Sequence, residues 1–310
     1  LSFQALLPNP LPSFLLCADM TKRFLSSFWR SYRRWLYGSL SVVIALSLWI
    51  GTPKPTQAIP WWEILMRGVQ ILQLSNISDE QEVALGGQIN QQITNQLWRN
   101  RTPISSHREA TVYLNQLGQK LAATSDRPDI PYTFQIVEDR DINAFATMGG
   151  YVYINAGLMI EAENEAELAS VVAHEIGHIV GGHAIAQMRE RAIQRGLLSV
   201  AGLDQSAAVQ IGVELALNLP NSREDELESD RLGLENMRRA GYSPSGMIAF
   251  MKTLQQRSGG SPPSILSTHP AVSDRIRALE EQLVQKPPQS YEVGGLDNVA
   301  YRNTINSFAR

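Results

Sequence analysis

Apolar and polar positions alternate along this chain with two different periods, and the period changes partway. Trp61 to Leu74 places Trp61, Trp62, Leu65, Val69 and Leu72 on or near one side, the pattern of a short amphipathic helix. Such a helix either packs against the body or rests on a membrane surface. Ser78 is placed to cap a second helix that carries Asp79 and Glu80 in its first turn and runs to about Trp98. A third helix is predicted from Ser106 to Ala123, before Arg127-Pro128. The period then falls to two. Tyr132 to Val137 alternates and is rich in β formers, and Asn143–Thr147 and Tyr151–Asn155 flank Met148-Gly149-Gly150 as in a hairpin. Beyond Gly157 the pattern is helical, broken at Pro220, Pro244, Pro262-Pro263 and Pro287-Pro288. These elements predict an α+β fold, predominantly helical, with a small antiparallel sheet. No internal repeat is present, and the polar stretch from Gln289 to Arg310 is too short for a helical-repeat array.

The N-terminal region reads as a targeting segment. Arg30, Arg33 and Arg34 precede an apolar run from Leu36 to Ile50, which Gly51 and Pro53 break before Thr56-Gln57-Ala58. Positive region, hydrophobic region and small-residue site follow in the order of a secretory signal. The run is short for a membrane span, so the alternative is an uncleaved anchor. Either reading leaves the basic flank in the cytoplasm and puts the body across the membrane, extracytoplasmic. Residues 1–19 are apolar and Pro-punctuated, and Met20 is a natural start; these residues are expected to be absent from the mature protein. The expected organisation is therefore residues 1–58 as extension and signal, 59–287 as one folded domain, and 288–310 as a tail.

Composition narrows the function. The chain has 310 residues, 44% hydrophobic and 18% charged, enough for one substantial core. Its net charge is −3, and the first 58 residues hold six basic side chains against Asp19 alone, so the body is acidic. An acidic body argues against a nucleic-acid partner. The single cysteine, Cys17, rules out an intrachain disulfide and a cysteine-based zinc site. Leu16 before it does not match the small residue of a lipid-attachment motif.

The chemistry centres on Val171-Val172-Ala173-His174-Glu175-Ile176-Gly177-His178-Ile179-Val180. On a helix, residues four apart share a face, so His174 and His178 can point at one ion. Glu175 lies about 100° round the helix, beside the metal, where a carboxylate can take a proton from water. Zinc suits two imidazoles and a carboxylate with an open position, one ion per chain. A third ligand is required. Position 184, where a longer three-histidine motif would place one, is Ala184; His183 stands one residue early and out of helical register, as a structural or surface histidine. The other source is Ser222 to Arg231, where Glu226 and Asp230 are four apart. One can ligate while the other accepts a hydrogen bond from a ligand imidazole; Glu228 faces away.

These residues resemble the HtpX-like gluzincin peptidases, a family that includes the CAAX prenyl proteases and bacterial periplasmic quality-control peptidases. The resemblance spans about residues 75 to 285. It rests on the HExxH helix, on Ser222-Arg223 with Glu226, Glu228 and Asp230 (Ser229 standing where Ala is usual), on Asn143 to Leu158 with Met148 where proline is frequent, and on Thr268-His269-Pro270 followed by Arg275-Ile276. It implies a zincin-like fold, Glu226 as third ligand with Asp230 beside it, and zinc-dependent hydrolysis of internal bonds in misfolded or membrane-associated proteins. It also implies that a peptide adds as a strand near Tyr151–Asn155 while Glu175 acts as general base. His269 either simply precedes a helix that Pro270 starts, or reaches the zinc from a loop as a fourth contact; Arg275 is a candidate for the oxyanion. A rival reading is a zinc-bound chaperone or assembly factor with latent peptidase activity. An integral-membrane prenyl protease would need several long apolar spans, and one short run is present.

Overall fold

The computed structural model describes residues 71–72, 77–197, 203–257 and 262–308. The signal region, Cys17 and most of the predicted Trp61–Leu74 helix lie outside the described residues. Of that helix, Ile71–Leu72 form instead a two-residue strand, β1.

Helix α1 (Asp79–Arg99) opens with a reciprocal cap: Ser78 accepts from the Gln81 backbone, and the Gln81 side chain accepts from the Ser78 backbone. Its buried face is Leu85, Ile89 and Ile93, at helical spacing. Helix α2 (Arg108–Ala122) packs on a three-stranded sheet of β2 (Thr133–Val137), β3 (Ala144–Thr147) and β4 (Tyr151–Asn155). The strand order is β2-β4-β3. The expected β3–β4 hairpin is present, joined through a 3₁₀ turn at Met148–Gly150 where Gly149 and Gly150 take φ of 77° and 92°, values that a β-carbon disfavours.

The sheet departs from expectation in two respects. It is mixed, because β2 runs parallel to β4. Tyr151–Asn155, expected as the edge that receives a peptide, is the central strand, with its backbone engaged on both sides. The physical reason is that the segment after β2 passes across the end of the sheet, so β3 arrives on the far side of β4 rather than beside β2. The outer side of β2 is bridged by Ile104 to Val137. The outer side of β3 has no strand partner among the described residues.

Helix α3 (Ala156–Glu161) leads into the central helix α4 (Glu165–Val180), which is buried continuously from Ala166 to Ile179. Helix α5 (His183–Gln194) follows, then β5 (Leu203–Asp204), which pairs antiparallel with β1, and α6 (Gln205–Asn218). Helix α7 (Arg223–Arg239) crosses α4 at close range. A β-carbon on Gly177 would come within 2.7 Å of the Ser229 carbonyl, and one on Gly233 within 3.0 Å of the His174 nitrogen. Small residues at these positions let the two helix backbones meet. Ser229, in place of the usual alanine, donates to the His174 carbonyl at 3.1 Å.

Helices α8 (Ser245–Arg257), α9 (Ile265–Thr268), α10 (Val272–Gln285) and α11 (Asn298–Phe308) complete the chain. The segment expected as a tail is part of the body. Tyr301 and Ile305 enter the main core, the Tyr301 hydroxyl donates to the Met159 carbonyl at 2.6 Å, and buried Glu292 pairs with Arg238 at 2.8 Å. Its polar composition conceals two apolar residues four apart on one helix face. No helix among the described residues is long and apolar enough to cross a membrane.

Candidate metal centre

Helix α4 is stabilised at its start by Asn164, which accepts from the Glu167 backbone at 3.0 Å. Two turns later His174 and His178 emerge on one face, as their spacing requires. Their Nε2 atoms lie 3.1 Å apart. Glu226, on the first turn of α7, brings Oε1 to 3.3 Å from His178 Nε2 and Oε2 to 3.5 Å from His174 Nε2. His269, just after α9, places Nδ1 at 3.0 Å from Glu226 Oε1 and 3.3 Å from His174 Nε2. One ligand atom from each of His174, His178, Glu226 and His269 lies within 4.8 Å of the others, and all four side chains are buried. His269 thus belongs to the cluster. Pro270 does not start a helix; α10 begins only at Val272, after Ala271.

The surroundings explain the orientation of each ring. His174 Nδ1 meets Asp230 Oδ1 at 2.8 Å, one turn along α7 from Glu226. Arg275 lies behind both carboxylates. Its Nε and Nη2 are each 2.7 Å from Asp230, and its Nη1 is 2.6 Å from Glu226 Oε2. Arg275 is therefore committed to holding α7 side chains, which rules against its expected role toward an oxyanion. Burial alone would raise the Asp230 carboxyl, but the adjacent Arg275 charge and its hydrogen bonds hold it at about 2. Glu226 is likewise kept ionised, against its burial, by His269, His174 and His178.

The donor set fits a divalent cation. With Nδ1 of His174 directed at Asp230, its Nε2 presents a lone pair to the cluster, where it faces a second imidazole nitrogen and a carboxylate. Burial holds His178 neutral, down to about 3, which preserves its lone pair. Burial and Arg275 press His174 downward, but Asp230 and Glu226 outweigh them and raise it to about 9, so in the metal-free chain the ring holds a second proton, which a bound cation would displace to use the Nε2 lone pair. Glu175 stands beside this group. Its Oε1 has no hydrogen-bond partner among the described residues, lies 3.6 Å from His269 Nε2, and its carboxyl is pushed up by burial. A buried carboxylate oxygen without a hydrogen bond is costly, and its retention calls for an explanation such as a catalytic role or a bound ion.

Two features escaped the sequence reading. Asn221 donates to Glu226 Oε1 at 2.8 Å and is itself held by Gln187 at 3.0 Å. His183, expected as a structural or surface histidine, is structural: it is buried with its Nδ1 2.8 Å from that of His178, a contact its out-of-register position does not suggest. Neither contact leaves a periodic trace in the sequence. A narrow cleft of about 50 Å³ opens on the centre, lined by Ala146, Thr147, Glu175, His178, Asn221 and His269.

Two imidazoles from an HExxH helix, a carboxylate from the helix crossing it and a buried glutamate beside them define a metallopeptidase centre of the zincin type. The chain belongs to peptidase family M48, whose model matches residues 108–283; its members are zinc-dependent metallopeptidases. It is 36% identical over 207 residues to a putative beta-barrel assembly-enhancing protease of Vibrio cholerae, covering 61% of this chain and 42% of that one. It is 31% identical over 229 residues to the beta-barrel assembly-enhancing protease of Escherichia coli, covering 69% and 46%. With the metalloprotease LoiP of Escherichia coli it shares 26% over 229 residues, covering 71% and 87%. The chain thus spans less than half the length of the first two relatives.

Proposed function

We propose that this protein is a zinc-dependent endopeptidase that cleaves extended segments of misfolded or membrane-associated proteins outside the cytoplasm. The observation that carries this reading is the convergence of His174, His178 and Glu226 beside the buried carboxylate of Glu175, whose Oε1 has no hydrogen bond among the described residues. These three side chains hold the ion, and Asp230 orients His174. Bound there, zinc supplies Lewis acidity, polarising a peptide carbonyl and lowering the pKa of water to about 7. Glu175 accepts the water proton and delivers it to the departing amine. Burial raises its basicity for that task.

The substrate strand adds at β3. Its outer edge has no strand partner among the described residues, and Ala146 and Thr147 line the cleft that also holds Glu175. Main-chain pairing there recognises extended chain with little regard to sequence, which suits an enzyme for unfolded segments. His269 now lies across this approach, its Nε2 3.4 Å from the Ala144 carbonyl oxygen. In this reading it is the fourth contact of a resting form and yields to the peptide. The basic cluster and apolar run before residue 58, together with relatives named for β-barrel assembly, support action on the far side of a membrane. A pure peptide binder would have no use for Glu175, which favours the enzyme over the chaperone.

The test is cleavage of a permanently unfolded protein by the full chain and by Glu175→Gln, with zinc content measured in both. Internal cleavage by the wild type, abolished in the variant while zinc is retained, supports the reading. Wild-type cleavage rates in the variant contradict it.

A further inference from the structure

The two histidines of the HExxH helix are supported differently. His174 rests on a carboxylate, Asp230. His178 instead meets the Nδ1 of His183 at 2.8 Å, and no carboxylate among the described residues is shown at its Nδ1. His183 in turn directs Nε2 toward Glu228 Oε2 at 3.4 Å, with Asp225 Oδ1 at 4.0 Å. We infer that His183 is a positioning residue for the metal: it fixes the ring orientation and tautomer of His178 by accepting its Nδ1 proton. The inference rests on the reading of His178 as a zinc ligand.

Proton bookkeeping leaves one arrangement. A neutral imidazole carries one proton, on one nitrogen. If His178 offers its Nε2 lone pair to the ion, its proton is on Nδ1. The short contact then requires His183 Nδ1 to be the acceptor, which puts the His183 proton on Nε2, facing Glu228. The chain reads Glu228 carboxylate, His183, His178, ion, each link donating toward the carboxylate. A ligand imidazole whose other nitrogen is held in this way is better oriented and more basic, and loss of such a partner costs about 10- to 100-fold in metal affinity.

The backbone is built to admit this ring. Helix α4 stops at Val180, and Gly181-Gly182 turn the chain, Gly182 with φ of 67°, so that the first residue of α5 folds back onto the last turn of α4. A β-carbon on Gly181 would lie 2.5 Å from His183 Nε2 and 2.8 Å from its Cε1. His183 is also buried, 4% exposed, although its partner Glu228 is half exposed. A histidine placed there only to fill space would not need a proton acceptor aimed at Nδ1 of His178.

Two variants separate positioning from packing. In His183→Asn, the side-chain oxygen takes nearly the place of Nδ1 and can accept the same proton; in His183→Phe, the ring volume remains and the acceptor is lost. Zinc affinity is measured by competition with a chromophoric chelator. The inference predicts that His183→Phe raises the zinc dissociation constant about 10- to 100-fold while His183→Asn stays near wild type. Equal affinity in wild type and His183→Phe, or equal loss in both variants, overturns it. A measurement on the unaltered protein stands if a variant fails to fold. Ring ¹⁵N spectra of the zinc-loaded chain should show His178 protonated at Nδ1 and His183 at Nε2; a proton on Nδ1 of His183 overturns the inference. A wild-type chain that binds no zinc would instead overturn the metal reading, and this inference with it.

Discussion

Arg275 grips Asp230 with a two-pronged contact, Nε and Nη2 each at 2.7 Å from a carboxylate oxygen, while its third nitrogen reaches Glu226 at 2.6 Å. One guanidinium from α10 thus sets the position of two carboxylates on α7, one in the cluster and one behind His174. Lysine can neutralise charge there but cannot span both groups. Arg275→Lys should therefore weaken zinc binding by about tenfold, as loss of a ligand's support does. Arg275→Met leaves buried carboxylates without their counter-charge and should cost the zinc-free fold about 3 to 5 kcal/mol. Denaturant unfolding and zinc competition check the two effects separately.

The same pair gives a pH dependence. The Asp230 carboxyl is held at about 2 in the folded chain against an ordinary 3.8. A depressed acid stabilises the fold above its unfolded pKa and loses that contribution as pH falls toward the folded one. In zinc-free protein, the stability gap between wild type and Asp230→Asn should be full above about pH 4 and close as pH falls to about 2. Unfolding curves at stepped pH would show it; a gap that widens on acidification contradicts the assignment.

The turn that follows β3 is held from α1. Glu82 accepts from the Gly149 nitrogen at 3.1 Å, and a β-carbon on Gly86 would lie 2.2 Å from the Met148 carbonyl oxygen. Gly86→Ala must displace that turn, and β3 with it. Steady-state kinetics on an unfolded substrate should show a rise in KM of several-fold, with zinc affinity unchanged because no cluster residue moves.

The C-terminal segment is fastened by a buried ion pair, Arg238 to Glu292, and Arg238 also donates to the Lys286 carbonyl at 2.5 Å. Glu292→Gln removes one partner of that pair and should cost about 3 kcal/mol, seen as a lower melting temperature. Truncation after Lys286 should be more damaging still, since it uncovers the core that Tyr301 and Ile305 close.

What could be read from the sequence and what could not divide along physical lines. His174, Glu175 and His178 were legible because a helix converts spacing into direction, and Glu226 with Asp230 repeat that logic on α7. Arg275 and Asn221 approach the site from elements whose placement no local pattern encodes. His183 reads as a structural or surface histidine on the premise of a continuous helix; Gly181-Gly182 end that helix just before it and bring the ring against His178. The hairpin of β3 and β4 was visible as a turn between two strands, but the parallel pairing of β2 with β4, which makes Tyr151–Asn155 central, depends on contacts between strands that are not sequence neighbours. The segment after Pro288 looked like a tail because its apolar residues are few, though those few lie on one face.

The most direct test of the account is zinc bound per chain, measured on metal-free protein back-titrated with zinc, in wild type, Glu226→Gln and Glu175→Gln. Wild type and Glu175→Gln should each hold one ion tightly, and Glu226→Gln should bind it more weakly by orders of magnitude. Stoichiometric zinc of wild-type affinity in Glu226→Gln, or none in the wild type, would contradict it.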